Sequence, residues 1–289
     1  MKRVFVTGAS SELMRSVLAD FPKEAYQVVA LSRKKKKDEE NLSWIQGDLN
    51  NPASYETRLA DLDLIIHAAA ITHSRDADQY HKVNVKGTQE LIKAALKKGE
   101  PRFVFISSRT ATEESGAYGV SKLKAEQAVK SMTENWLIIR PAEVFGGAKA
   151  EGVDGAITSA ISGGVNPCPV GLSSKMYPIH SKDAAKAISK AVLEDSSKNK
   201  LVYVNGPDAL SFKELLQLVE KETGRKVWVL PIPKFVMNMA ALVSTVLNID
   251  LGFVPDQVDR LYSYKQEGPP SPITISLSHY IKEKLRNEN

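Results

Sequence analysis

The sequence predicts an α/β fold: a doubly wound parallel sheet with a smaller C-terminal substrate lobe. Three observations predict it. Short, wholly apolar runs recur from the N-terminus, which suits strands covered on both faces. Helical patterns separate them, and this strand–helix alternation implies right-handed crossovers between parallel strands. The first run passes directly into Thr7-Gly8-Ala9-Ser10-Ser11, a glycine turn that opens a helix.

The strand runs are Val4-Phe5-Val6, Val28 to Leu31, Leu64-Ile65-Ile66, Phe103 to Ile106 and Leu137-Ile138-Ile139. Val85 to Leu96 reads as a helix because Val85, Leu91, Ile92, Ala95 and Leu96 fall largely on one side. Lys122 to Met132 reads as another. After Arg140-Pro141 the texture turns to glycine- and proline-rich loops. Val202-Tyr203-Val204 returns to the sheet. Ser211 with Glu214 forms a capping box, and that helix ends at Thr223-Gly224. Gly268 to Pro272 links to a short charged C-terminal helix. The resulting division is a dinucleotide-binding core at 1–145, completed by about 180–206, and a lobe from 146–179 and 207–289.

A chain of 289 residues with 43% hydrophobic content is long enough for that core and lobe. Its net charge of +5 suits an anionic cofactor or substrate. No zinc-finger spacing or arginine/aromatic interleaving points to nucleic acid or a metal. Cys168 is the only cysteine, so no intrachain disulfide forms, and a reduced, cytoplasmic setting is expected. No apolar leader precedes the first strand. The longest apolar stretch, Phe235 to Ile249, is too short to span a membrane and is broken by Asn238, Ser244, Thr245 and Asn248. It reads as a buried helix rather than a dimer face or membrane-surface contact.

The glycine turn is where a pyrophosphate would rest on helix N–H groups. Downstream, Tyr118 and Lys122 stand four residues apart, on one face of a helix. An ammonium beside a phenol favours the phenolate, which fits the phenol for proton exchange with an alcohol or ketone.

Together these segments resemble the extended short-chain dehydrogenases/reductases, the NAD-dependent epimerase/dehydratase family, over about residues 3 to 265. The likeness extends to bacterial nucleotide-sugar epimerases and 4-ketoreductases, partly through Asp256-Gln257-Val258-Asp259-Arg260-Leu261. It implies a Rossmann fold and a nicotinamide cofactor. The family loop is Thr-Gly-x-x-Gly-x-x-Gly. Here Gly8 is kept, while Ser11 and Met14 replace the later glycines; in the shorter family register the replacements are Glu12 and Met14. Either adds a side chain where backbone should approach phosphate or strand closely.

The resemblance places the cofactor on Thr7, Gly8, Ser10, Ser11, Glu12 and Leu13, then Ser32 and Arg33, Asp48 and Leu49, and His67, Ala68 and Ala69. Tyr118, Lys122, Arg140, Pro141 and Val144 would meet its nicotinamide half. Ser32-Arg33 stands where NAD-preferring relatives carry an acid, so NADP is favoured, with NAD as the alternative. Lys34 to Lys37 adds positive charge nearby. The catalytic set implied is Tyr118, Lys122, Ser108 and Asn84, with Ser107 as packing. Substrate would contact Ala70, Ser108, Arg109, Tyr118 and Glu143. Asp183, in Ile179-His180-Ser181-Lys182-Asp183, reads as structural.

Departures bear on substrate. Glu143 replaces an Asn that meets the sugar diphosphate, and Met176 replaces an Arg. Arg109-Thr110 replaces the Asp-Glu that dehydration needs. Three functions follow: a nucleotide-sugar 4-epimerase or 4-ketoreductase, an NADP-dependent reductase of a non-sugar ketone or aldehyde, and a non-catalytic NAD(P)-binding regulatory protein. A homodimer through the helices of Asn84 and Tyr118 is implied by the family.

Overall fold

The structure is a computed structural model; it describes residues 1–148, 151–194, 198–246 and 255–288, with backbone alone at 245, 246 and 288. Along the chain run β1 (Lys2–Thr7), α1 (Glu12–Ala19), β2 (Tyr26–Ser32), β3 (Leu42–Gln46), β4 (Leu64–His67), α2 (Ala77–Tyr80), α3 (Gly87–Leu96), β5 (Arg102–Ile106), α4 (Gly116–Met132) and β6 (Trp136–Pro141). Then come β7 (Val144–Phe145), α5 (Val153–Ile161), β8 (Val165–Pro169), β9 (Ile179–His180), α6 (Ser181–Leu193), β10 (Lys200–Val204), α7 (Phe212–Thr223), β11 (Trp228–Ile232), α8 (Lys234–Val246), α9 (Pro255–Tyr262) and α10 (Leu277–Glu288).

Seven parallel strands form the main sheet in the order β10-β6-β5-β4-β1-β2-β3. The chain leaves β1 in one direction and returns to its other side with β4. That reversal opens a crevice at the carboxyl ends of β1 and β4.

The apolar runs divide their residues between the two faces. Val4, Val6, Ile66, Val104, Ile106 and Ile139 pack with Met14 and Val17 of α1 and Ile188 of α6. Phe5, Ile65, Phe103, Phe105 and Ile138 pack with Leu91 of α3 and Ala125 and Val129 of α4. Each such side chain, fully buried, stabilises the fold by about 1.5–3 kcal/mol. Helix cover on both faces is why the runs carry no polar alternation.

The helix expected from Val85 begins earlier. α2 continues into one wide π-helical turn at His81–Lys86 before α3. Such turns displace the helix face locally and recur at functional sites. Gly87 follows because a Cβ there would lie 2.8 Å from Leu49 Cδ2.

A third apolar cluster joins Ile157 and Ile161 of α5, Leu215, Leu216 and Val219 of α7, and Ile281 of α10. The capping box at Ser211 and Glu214 is present, and Gly224 closes α7 in the left-handed conformation. Asp183 ties the linker to the core: its carboxylate accepts Thr274 N–H at 2.9 Å and Ile275 N–H at 3.0 Å. Cys168 is buried, which pushes its thiol pKa up.

The expectation for the Phe235 to Ile249 stretch is overturned. α8 is not a buried helix: Phe235 is 69% exposed and Met239 57%. Residues 247–249 of the same stretch lie outside the described residues. Among the described residues no helix is long and apolar enough to cross a membrane.

His67 closes β4 at 0% exposure. Thr88 Oγ1 donates to the Asn84 carbonyl at 2.6 Å, so His67 Nε2–H donates to Thr88 Oγ1 at 2.8 Å. Thr7 Oγ1 then donates to Nδ1 at 2.6 Å and accepts Ala69 N–H at 3.2 Å. Burial, with the charge of Lys122, brings the His67 pKa down to about 3. In the unfolded chain it lies near ~6.5, so between these values the unfolded state holds more protons. The contribution of neutral His67 is complete above the unfolded pKa and is lost as pH falls toward the folded one. We expect a slope of up to about 1.4 kcal/mol per pH unit in that window, flattened in His67→Gln, in urea unfolding between about pH 7 and about pH 5. Parallel profiles for the two proteins would contradict this.

Candidate active site

The crevice depends on a close backbone approach. Gly8 has φ +76°, and a Cβ there would lie 2.6 Å from Ala68 C and Ala69 N. Only glycine lets β1 turn so near the end of β4. Beyond it lies a groove of about 310 Å³. Its lining includes the expected Thr7, Gly8, Ser10, Ser11, Arg33, Asp48, Leu49, Ala68, Ala69 and Ala70. Leu31, Gly47, Asn50, Ile71 and Val83 join them. Leu31 lies near the end of β2, Gly47, Asn50 and Ile71 follow strands, and Val83 sits on the π turn.

The two missing glycines have different outcomes. Ser11 caps α1, its Oγ accepting Met14 N–H at 3.3 Å. Met14 turns away from the groove and packs at 1% exposure between helix and sheet. The expected crowding of phosphate is therefore absent at Met14. Glu12 also leaves the groove: its carboxylate accepts Ala148 N–H at 2.9 Å. Leu13 packs against the core, and Ser32 Oγ accepts Lys34 N–H at 3.2 Å. Asp48 Oδ1 accepts Asn50 N–H at 2.8 Å, shaping the turn at the groove's rim.

The reacting end is built on α4. Asn84 on the π turn donates to Ile71 O at 3.0 Å and Ser121 Oγ at 2.9 Å, and accepts Ile71 N–H at 2.8 Å. It thereby ties the groove's far wall to α4. Lys122 is 2% exposed; its Nζ donates to Ile106 O at 2.8 Å and lies 4.1 Å from the Phe105 ring centroid. Burial brings its pKa down to about 7.

Tyr118 is 8% exposed, with Tyr80 edge-on at 6.0 Å and the Arg260 guanidinium 4.6 Å from its ring centroid. Burial pushes its phenol pKa up, while Arg260 and a hydrogen bond with Ser108 pull the other way. The sequence expectation assigned that cationic role to Lys122. Here Lys122 is turned to the end of β5 and Arg260 covers the ring.

α9 supplies more than Arg260. Asp256 Oδ1 accepts Tyr118 N–H at 2.8 Å, and Gly116, at φ +64°, leaves it room. Asp256 and Arg260 pair at 3.0 Å. One acid–base pair thus grips both the backbone and the ring of Tyr118. Sequence reasoning missed Tyr80, Asp256, Arg260 and Lys265. For Asp256 and Arg260 the one signal was the Asp-Gln-Val-Asp-Arg-Leu segment, which resembles its relatives without indicating a contact; Tyr80 and Lys265 carried no signal.

Ser108 Oγ lies 2.9 Å from Thr110 Oγ1, whereas Ser107 Oγ donates to Glu126 Oε1 at 2.5 Å. Arg140, expected at the nicotinamide, grips Glu126 through two bonds of 2.8 and 2.7 Å, both side chains buried. It braces α4 against β6 and does not line the groove. Pro141 ends β6 with its carbonyl accepting Arg109 N–H at 3.2 Å, and Val144 packs on the core. Glu143 accepts Arg109 Nη1 at 3.0 Å and Tyr177 N–H at 3.0 Å, with Lys265 Nζ at 3.6 Å.

A glycine turn at a sheet's switch point, beside a Tyr-x-x-x-Lys helix, defines the extended short-chain dehydrogenase class. Residues 4–206 match the model of the NAD dependent epimerase/dehydratase family, and the chain belongs to that family. It is 23% identical to the mitochondrial NADH-ubiquinone oxidoreductase 40 kDa subunit of Neurospora crassa, over 84% of this chain and 67% of that protein. It is 25% identical to the UDP-glucose 4-epimerase of Vibrio cholerae, over 80% of this chain and 79% of that one. In fold it is similar to DesIV, a dTDP-glucose 4,6-dehydratase of Streptomyces venezuelae solved with NAD. There the TM-score is 0.72 at 19% identity, covering 99% and 97% of the two chains.

Removing one member of a buried ion pair leaves the other charge without its partner. We expect Glu126→Leu to lose about 3–5 kcal/mol of stability in urea unfolding, because Arg140 stays buried. A loss below about 1 kcal/mol would show that Arg140 relaxes to solvent.

Proposed function

We propose that the protein is a nicotinamide-dependent oxidoreductase that transfers hydride at a secondary alcohol or ketone carbon of a nucleotide sugar, as a 4-ketoreductase or 4-epimerase. The observation that carries the reading is the junction at Ile71. Ile71 lines the groove, and Asn84 binds Ile71 and the helix of Tyr118 together.

The residues present fit the adenosine and diphosphate half of a dinucleotide. Gly8 keeps the backbone close, and Ser10 and Ser11, at the N-terminus of α1, line the groove. When bound, the cofactor supplies the carbon that gives or takes the hydride. Tyr118 exchanges the proton with the substrate oxygen, held by Ser108. A ketone gaining hydride takes that proton; an alcohol losing hydride returns it. Burial keeps the Tyr118 phenol protonated at neutral pH, which suits the reducing direction. Lys122 orients the nicotinamide ribose once it turns from Ile106 O.

Glu143 does not oppose a diphosphate in this reading. Arg109 and Lys265 together outweigh its charge, leaving the cluster net positive. A second reading, reduction of a non-sugar ketone or aldehyde, is favoured by Met176, whose backbone pairs with Leu210 and which offers no cation. The non-catalytic reading predicts cofactor binding without turnover. The reading goes with a cytoplasmic protein, paired as a homodimer through the helices of Asn84 and Tyr118.

The deciding experiment is titration with NADPH and NADH, followed by hydride exchange with UDP- and dTDP-sugars. We expect Tyr118→Phe to abolish exchange while cofactor affinity stays within about twofold, and Lys122→Ala to weaken both. Full exchange in Tyr118→Phe would overturn the mechanism, and failure to bind either nucleotide would overturn the enzymatic reading.

Arg33 lines the adenosine end and faces no acidic partner in the groove's lining other than Asp48. It suits a 2′-phosphate, so NADP is the preferred cofactor. Arg33→Ala is expected to weaken NADPH at least about tenfold and NADH by much less, by fluorescence titration. Equal effects on both would remove the preference.

A further inference from the structure

α8 turns its small side chains inward and its large ones out. Ala241 and Ser244 are each 1% exposed, whereas Phe235, Met239, Leu242 and Val243 are 69%, 57%, 54% and 42% exposed. The four large residues are spaced as one helical stripe. β11, immediately before, adds Trp228 at 56% and Leu230 at 52%. Trp228 pairs with exposed Val165 of β8. Large apolar surface of this extent marks an interaction site.

Charge identifies the partner. From Arg225 to Val246 the sequence contains no Asp or Glu. Exposed Lys226 and Lys234 flank β11. Lys226 Nζ lies 4.4 Å from the Trp228 ring centroid, and Lys234 Nζ 5.2 Å from that of Tyr262. An apolar stripe bordered by lysines and a tryptophan is the chemistry of a helix lying in a bilayer interface.

We propose that α8 and β11 seat the protein on an anionic phospholipid surface. The stripe of Phe235, Met239 and Leu242 enters the acyl boundary, and Lys226 and Lys234 meet headgroup phosphates. Among the described residues α8 has 13, fewer than the ~20 a helix needs to span a bilayer, and the proposal lays it along the surface. A two-fold contact with a second copy fits less well. It would bring the lysines of both copies together with no carboxylate from this segment between them.

The test is flotation of the full chain with vesicles of phosphatidylcholine and phosphatidylglycerol in equal amounts, against phosphatidylcholine alone. We expect binding to the mixed vesicles, weakened at least about tenfold without the anionic lipid or in high salt. Phe235→Ser/Met239→Ser/Leu242→Ser should abolish flotation. Lys226→Glu/Lys234→Glu, which leaves the apolar stripe intact, should weaken it at least about tenfold. Thermal unfolding and nucleotide titration of each variant check its fold. Absence of the parent from the floating fraction would overturn the proposal, as would flotation of both folded variants like the parent. A dimer in sedimentation velocity, dissolved by the triple substitution in a chain that ignores vesicles, would assign the face to a second copy and overturn it too.

Discussion

The close approach of β1 to β4 governs the rest of the molecule. A Cβ on Gly8 would collide with the backbone of Ala68 and Ala69, so the turn exists only as glycine. The approach is locked from below by one chain of hydrogen bonds: Ala69 N–H to Thr7, Thr7 to His67, His67 to Thr88, and Thr88 to the Asn84 carbonyl. Each polar group in that buried chain has its partner, which is the condition for placing them at the centre of a sheet. The same chain ends on the π turn that carries Asn84. Groove and reacting helix are therefore joined by one network of buried hydrogen bonds.

The reacting end depends on charges that a small core could not hold alone. Arg140 and Glu126 brace α4, and Asp256 and Arg260 grip Tyr118 from α9. Pairs this deep add little net stability, because desolvation offsets their attraction. Their consequence is geometric: bidentate and capping contacts leave Tyr118 few alternative positions. Tyr118 is thus held by the lobe as much as by its own helix. A lobe that moved away would expose the phenol and relieve the burial that raises its pKa.

The sheet was legible because its strands are buried on both faces and carry no competing polar signal. Gly8, Tyr118 and Lys122 were legible because their spacing is local. What failed was direction. Met14 occupies a glycine position, but its side chain points into the core, and Arg140 lies beside the site yet faces Glu126. A linear motif fixes where a Cα sits along the chain, not which way a long side chain leaves it. Arg260 was out of reach for another reason: its contact with Tyr118 spans more than a hundred residues and belongs to tertiary packing.

The same limit explains α8. Its composition suits a core helix, and composition alone assigns it there. The structure buries Ala241 and Ser244, and α8 packs on α9, where Met237 and Lys234 meet Tyr262. The small residues are turned inward, and the large ones are left exposed. α9 in turn carries Asp256 and Arg260 to Tyr118. The outward apolar stripe and the reacting phenol are therefore joined through two packed helices, α8 and α9. Any partner that fixes α8 also fixes the support on which the Tyr118 clamp rests.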